Sequence, residues 1–143
     1  MLSVTSPVLR NALRLLMLLE ALGFFVFAVL HLGLAIPLGV VVLEEPRRQY
    51  AVLVEGVAAL LLTLGVFAAT ARKSWAWTAA TVAHLLALVG VSWGMVAIRA
   101  GRGPHTPLND TFHGVMVVVL LAGLTFLLTP TGRRVMNFTE TPT

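Results

Sequence analysis

Residues 75–98 read WAWTAATVAHLLALVGVSWGMVAI, and His84 is the only side chain among them that can carry a charge. As an α-helix the stretch would run about 36 Å at about 1.5 Å per residue, enough to cross a hydrocarbon core about 30 Å thick. In water its apolar surface would drive association; in a bilayer it is solvated. We read it as a transmembrane helix.

The same stretch carries a packing signal. Ala76, Ala80, Ala83, Ala87, Gly90, Gly94 and Ala97 recur at alternating steps of four and three, the spacing of a left-handed helix pair. Lipid tails are as apolar as leucine, so membrane helices associate where small residues let their backbones approach. The seam therefore predicts that this helix is buried in a bundle or against another subunit. A shorter strip of Gly56, Ala59 and Thr63 in the preceding apolar run is a candidate partner surface.

Three further apolar runs surround it. The first covers 13–43 and is interrupted by Glu20, His31 and Pro37; the second covers 50–71 and is broken only by Glu55; the last covers 112–129 and stops at Pro130. The first is too long for the apolar core of a cleaved signal peptide, so it reads as a retained span. Polar segments separate the runs: Glu44-Glu45-Pro46-Arg47-Arg48-Gln49, then Arg72-Lys73-Ser74, then a Gly- and Pro-rich loop over 99–110. Residues 130–143 form a polar tail with an expected disordered end. Asn109 or Asp110 stands where it could cap the last span. Asn109-Asp110-Thr111 and Asn137-Phe138-Thr139 match the glycosylation triplet, which has meaning only in a secretory-pathway host. The expected architecture is all-α, a single domain built as a four-helix integral membrane bundle.

Composition agrees. Of 143 residues 58% are hydrophobic and 11% charged, against roughly 25% charged in a soluble domain. Four spans of about 20 residues fit this length and a fifth does not. The absence of Cys removes disulfides, thiolate nucleophiles and Cys-ligated metals. The net charge is +4, but its cations lie in pairs between apolar runs and not on one face, which argues against nucleic acid as a partner. Arg10, Arg14, Arg72, Lys73, Arg133 and Arg134 fall on one side of the membrane, with Arg47, Arg48, Arg99 and Arg102 on the other. The excess places both termini in the cytoplasm. Tyr50, Trp75 and Trp77 sit at span ends, as interfacial aromatics do. Arg is favoured over Lys and Ile is scarce, a bias that fits GC-rich coding and a bacterial inner membrane.

An ionisable group within a span is costly in lipid and finds a partner in the bundle. Glu20, His31, Glu55, His84 and His113 are the residues concerned. Counting rises of about 1.5 Å from the run ends puts His31 and Glu55 together in the outer half and His113 at the outer surface. It puts His84 deeper, beside the small-residue seam, and Glu20 near the inner boundary beside the headgroups or Arg14. Glu55, His31, His84 and His113 are thus the candidates for holding a proton or cation, and imidazole also suits divalent metals. The contrasting reading is structural: Glu55 bonds one His, His84 bonds a carbonyl or a hydroxyl such as Ser92 or Thr63, and helix register is fixed.

Function follows in three versions. The first is a small polytopic membrane protein, an accessory subunit or homo-oligomer of a larger membrane complex, docking through the seam. The second is a proton- or cation-coupled transporter or binding protein using Glu55, His31 and His84. The third is a haem-binding subunit with His31 and His84 as axial ligands; a weaker metal site would join Glu44, Glu45 and His105 to Glu55 and His113. No nucleophile–base pair, phosphate loop or local metal motif is present, so no catalytic residue is assigned and the chain does not read as an enzyme.

Overall fold

The computed structural model describes residues 5–137. In chain order these form α1 (Thr5–His31), a hairpin of β1 (Ile36–Leu38) and β2 (Val41–Leu43), α2 (Gln49–Thr70), α3 (Ala76–Arg99), α4 (Pro107–Leu128) and the short α5 (Pro130–Met136). The first four helices are each long and apolar enough to cross a membrane. The chain is an all-α, multi-pass membrane protein of the four-helix type.

Each long helix packs on the next in sequence, and α1 also meets α4. One core cluster joins Phe24 of α1, Leu62 of α2, Ala83 and Ala87 of α3, and Leu120 of α4. A second, toward α5, joins Met17, Ala69, Ala80, Leu127 and Met136. Residues such as Phe25, Leu60, Val89 and Val118 point away from both and are exposed. In a bilayer they meet lipid.

The apolar run over 13–43 is not one span. α1 begins at Thr5 and ends at His31, where Gly33 takes a positive φ of 89°. Gly33 N–H then bonds Leu30 O at 2.8 Å and Leu34 N–H reaches Val29 O at 3.4 Å, the paired bonds of a Schellman stop that glycine makes inexpensive. The rest of the run is the hairpin, with Ile36 opposite Leu43 and Leu38 opposite Val41. Gly39, at φ 67°, supplies the left-handed first position that a two-residue hairpin turn needs. Its open edges cannot sit in hydrocarbon, so the hairpin belongs to the interface.

Two other boundaries move for local reasons. α4 starts at Pro107 and not near 112, because Thr106 caps it by accepting from Asn109 N–H at 3.0 Å and proline is tolerated at the first position. Asn109 and Asp110 are therefore inside the helix and neither is its cap. Part of the polar tail is also ordered: Thr129 caps α5 through Gly132 N–H at 3.0 Å, and Val135 and Met136 are buried. The remainder of the tail, 138–143, lies outside the described residues. At this end Arg14 bonds Ala69 O, one of the carbonyls that the end of α2 leaves unpaired. Trp77 Nε1–H donates to Leu127 O at 2.9 Å, and the Arg133 guanidinium lies 4.2 Å from the Trp77 ring centre.

The seam on α3 is occupied within the chain over its first half, where Ala76, Ala80, Ala83 and Ala87 are all buried. On α2 it meets Gly65, and of the strip Gly56, Ala59 and Thr63 only Ala59 is buried in the same core cluster as Ala83 and Ala87. A β-carbon on Gly65 would lie 3.5 Å from Ala80 Cα, whereas one on Gly56 would meet nothing within 4 Å, and Thr63 is exposed. The second half, Gly90, Gly94 and Ala97, is half-buried and lines a cavity.

Candidate functional site: two buried carboxylate–imidazole pairs

α1 contributes one member to each of two pairs. Glu20 and His31 are eleven residues apart, about three turns, so they share a face about 16 Å apart along the axis. Phe24 and Phe27 occupy the turns between them, and all four side chains are buried. Near the hairpin, His31 Nδ1 lies 2.9 Å from Glu55 Oε2 of α2. Deeper in the bundle, Glu20 Oε2 lies 3.2 Å from His84 Nε2 of α3.

The backbone brings the first pair together. Arg48 N–H donates to His31 O at 2.9 Å, pinning the start of α2 to the end of α1. Glu55 follows two turns later on the buried face. His31 accordingly closes its helix, and does not lie deep in a longer span.

The second pair corrects the expected place of Glu20. With α1 running Thr5–His31, Glu20 is near mid-helix and only 2% exposed, far from the headgroup level, while Arg14 is engaged elsewhere. Sequence reasoning left Glu20 out of the candidate set. The available signal was its shared face with His31, which depth counted from a wrong span boundary overrode.

Hydrogen bonding fixes one ring nitrogen of His84. His84 Nδ1 is 2.8 Å from Ala80 O, and since a carbonyl only accepts, Nδ1 carries its hydrogen in every state. Nε2 is left as the ring nitrogen that faces Glu20. The 3.2 Å approach of Glu20 Oε2 to His84 Nε2 is not a formed hydrogen bond, and both atoms are buried without another partner. One proton on either atom would leave the pair neutral, and burial in an apolar bundle disfavours a net charge. Gly123 makes the space: a β-carbon there would sit 2.5 Å from His84 Nε2.

His113 joins neither pair. Because α4 begins at Pro107, His113 is well inside the helix and buried, not at the membrane surface. Its Nδ1 donates to Asn109 O at 2.9 Å. Its Nε2 faces α3, where a β-carbon on Gly94 would lie 2.6 Å away. The ring edge meets Phe112, which stacks on Phe27 with ring centres 3.6 Å apart. The aromatic side chains Phe24, Phe27 and Phe112 thus stand between the two pairs.

A cavity of about 460 Å³ opens at the hairpin end between α2 and α3. His31, Glu55, Asn109 and His113 line it on one side, with Arg47, Arg48 and Arg102 contributed by the loops.

The residues of the proposed loop metal site do not converge. Glu45 is buried and accepts from Thr106 Oγ1 at 2.5 Å, Glu44 is exposed, and His105 pairs with Asp110 at 2.8 Å. Among the described residues no three His, Asp or Glu side chains are grouped to hold a metal ion. His31 and His84, the two histidines of the haem reading, belong to different pairs. Asn109 is 1% exposed, with Nδ2 donating to Pro104 O at 3.0 Å, so it is closed to glycosylation. The second triplet runs into Phe138 and Thr139, outside the described residues. Compared with known protein families, characterised proteins and solved structures, the chain matches none.

Proposed function

We propose that this is a proton-binding membrane protein whose exchangeable protons reside on the His31–Glu55 and Glu20–His84 pairs. The supporting observation is the commitment of His84 Nδ1 to a backbone carbonyl while Nε2 faces a fully buried carboxylate. Such a pair is neutral with its proton and carries −1 without it. Phe24 and Phe27 separate the pairs, which favours binding over continuous conduction. The same reading puts the α5 end, with Arg10, Arg14, Arg72, Lys73, Arg133 and Arg134, in the cytoplasm of a bacterial cell.

Infrared difference spectra of the protein in nanodiscs, titrated between about pH 5 and 8, test the proposal on the carboxyl groups directly. Wild type is expected to show pH-dependent carboxylic-acid bands, with Glu20→Gln and Glu55→Gln each removing one. Spectra and proton uptake unchanged in the Glu20→Gln/Glu55→Gln double variant would overturn it.

A further inference from the structure

Three arginines at the hairpin end have no acidic partner in the fold. Arg47 and Arg48 precede α2, Arg102 follows α3, and all three are exposed and line the cavity between those helices. Among the described residues the carboxylates around them are committed elsewhere or stand apart. Glu45 turns inward to accept from Thr106 Oγ1, Asp110 faces His105, and Glu44 is exposed and in no ion pair. Glu55, the single carboxylate of the lining, lies 2.9 Å from His31 Nδ1. The cavity wall thus carries three guanidinium groups against one acid that is already matched.

The start of α2 adds to the same sign. Arg48 stands at its N-cap without a side-chain capping bond, and no acid occupies its first turn. Val52 N–H is the first amide of α2 to reach a carbonyl of the chain's own turn, Arg48 O at 3.1 Å. The amides before it belong to Gln49, Tyr50 and Ala51, which also line the cavity, and they form the positive end of a helix of 22 residues. Low-dielectric walls focus such a field on an anion. Attraction of this kind acts over about 8 Å at physiological salt, so it does not require one atom held by all three arginines.

The rest of the lining decides what the anion is attached to. Beyond the arginines the wall is apolar, with Val54, Val91, Trp93 and Ile98. Trp93 stands six residues before Arg99, about 9 Å further into the membrane along α3, and is 68% exposed. Part of the cavity wall is therefore lipid-facing helix surface. A free anion would use the rim and leave this lower wall unmatched, whereas a lipid matches both levels.

We propose that this cavity is a site for an anionic phospholipid, its phosphate held at the rim by the field of Arg47, Arg48, Arg102 and the start of α2, and an acyl chain lying along Val54 and Trp93. Guanidinium suits phosphate through charge and paired N–H donors. The proposal goes beyond the proton-binding reading and needs no proton exchange.

The test is calorimetric titration of the full chain in neutral maltoside micelles, with protein-free micelles subtracted. The probes are dioctanoyl phosphatidylglycerol, dioctanoyl phosphatidylcholine, which has the same chains and no net charge, and inorganic phosphate, which has the charge and no chain. Phosphatidylglycerol is expected to bind saturably at one per chain and at least about tenfold tighter than either of the others, the loss of roughly two arginine contacts. Arg47→Gln, Arg48→Gln and Arg102→Gln are each expected to weaken it about fivefold. Arg99→Gln is the control, because Arg99 is an exposed cation at the same end that does not line the cavity, and it is expected to bind as wild type does. Ala97→Trp, which fills the cavity, is expected to abolish the preference for phosphatidylglycerol. If that variant does not fold, the arginine series decides, since it changes exposed side chains only. Equal affinities for the two lipids, inorganic phosphate binding as tightly as phosphatidylglycerol, or an equal loss in Arg99→Gln and Arg102→Gln would each overturn the proposal. Absence of lipid selectivity beside normal carboxyl titration would sink this proposal alone.

Discussion

At the scale of single residues, the side chain that Gly123 lacks governs the one that His84 has. With a β-carbon at 123 only 2.5 Å from His84 Nε2, Gly123→Ala must push the imidazole away from Glu20 or shift α4. Overpacking of this kind costs about 1–3 kcal/mol, so the thermal unfolding midpoint in detergent is expected to fall. Gly114→Ala is the control, since nothing lies within 4 Å of its β-carbon position and alanine in a helix gains up to about 1 kcal/mol over glycine. Equal midpoints for Gly123→Ala and wild type would refute the packing account. No pattern in the sequence links position 123 to position 84. The polar pairing was partly legible: depth counting put His31 beside Glu55, and the two lie 2.9 Å apart, whereas the partnership of Glu20 with His84 was not.

Among the elements, α3 carries the clearest sequence signal and the most divided outcome. The alternating small residues marked a buried face, and Ala76, Ala80, Ala83 and Ala87 are buried, yet against other helices of the same chain. Ala83, 1% exposed, has no room for a larger side chain. Ala83→Leu is expected to destabilise the single chain by about 1–3 kcal/mol, with a shift in unfolding midpoint that does not change with protein concentration. Val89→Leu, on the 59% exposed face, is expected to leave it unchanged. A concentration-dependent shift for Ala83→Leu would place the seam between subunits instead. The hairpin shows the opposite case. Its Val40-Val41-Val42 is as apolar as any span, and only Gly33, Pro37 and Gly39 hinted that the helix stops.

For the whole molecule, the bundle has two chemically different ends. The α5 end is closed by Arg14 on Ala69 O, Trp77 on Leu127 O and Arg133 over Trp77. The hairpin end holds the cavity and the His31–Glu55 pair. Because the chain has no cysteine, single cysteines report which end faces which side. Ala100→Cys and Thr131→Cys stand at exposed positions on opposite ends. In intact cells a membrane-impermeant thiol reagent is expected to label Ala100→Cys and spare Thr131→Cys; the reverse pattern would invert the assigned orientation.

The count of four spans, the bilayer as solvent and the short list of intramembrane ionisable residues were determined by sequence alone, because apolar length and charge content are local properties of the chain. Where the first span ends was only hinted at, since apolarity does not distinguish a helix from a hairpin without the backbone angles of Gly33 and Gly39. Which imidazole Glu20 meets was decided by tertiary structure. A shift of one residue rotates a helix face by about 100° and moves it about 1.5 Å, so pairing depends on the mutual rotation and depth of three helices. Those are set by packing spread over the chain: Arg48 on His31 O, Gly65 against Ala80, and Gly123 making way for His84.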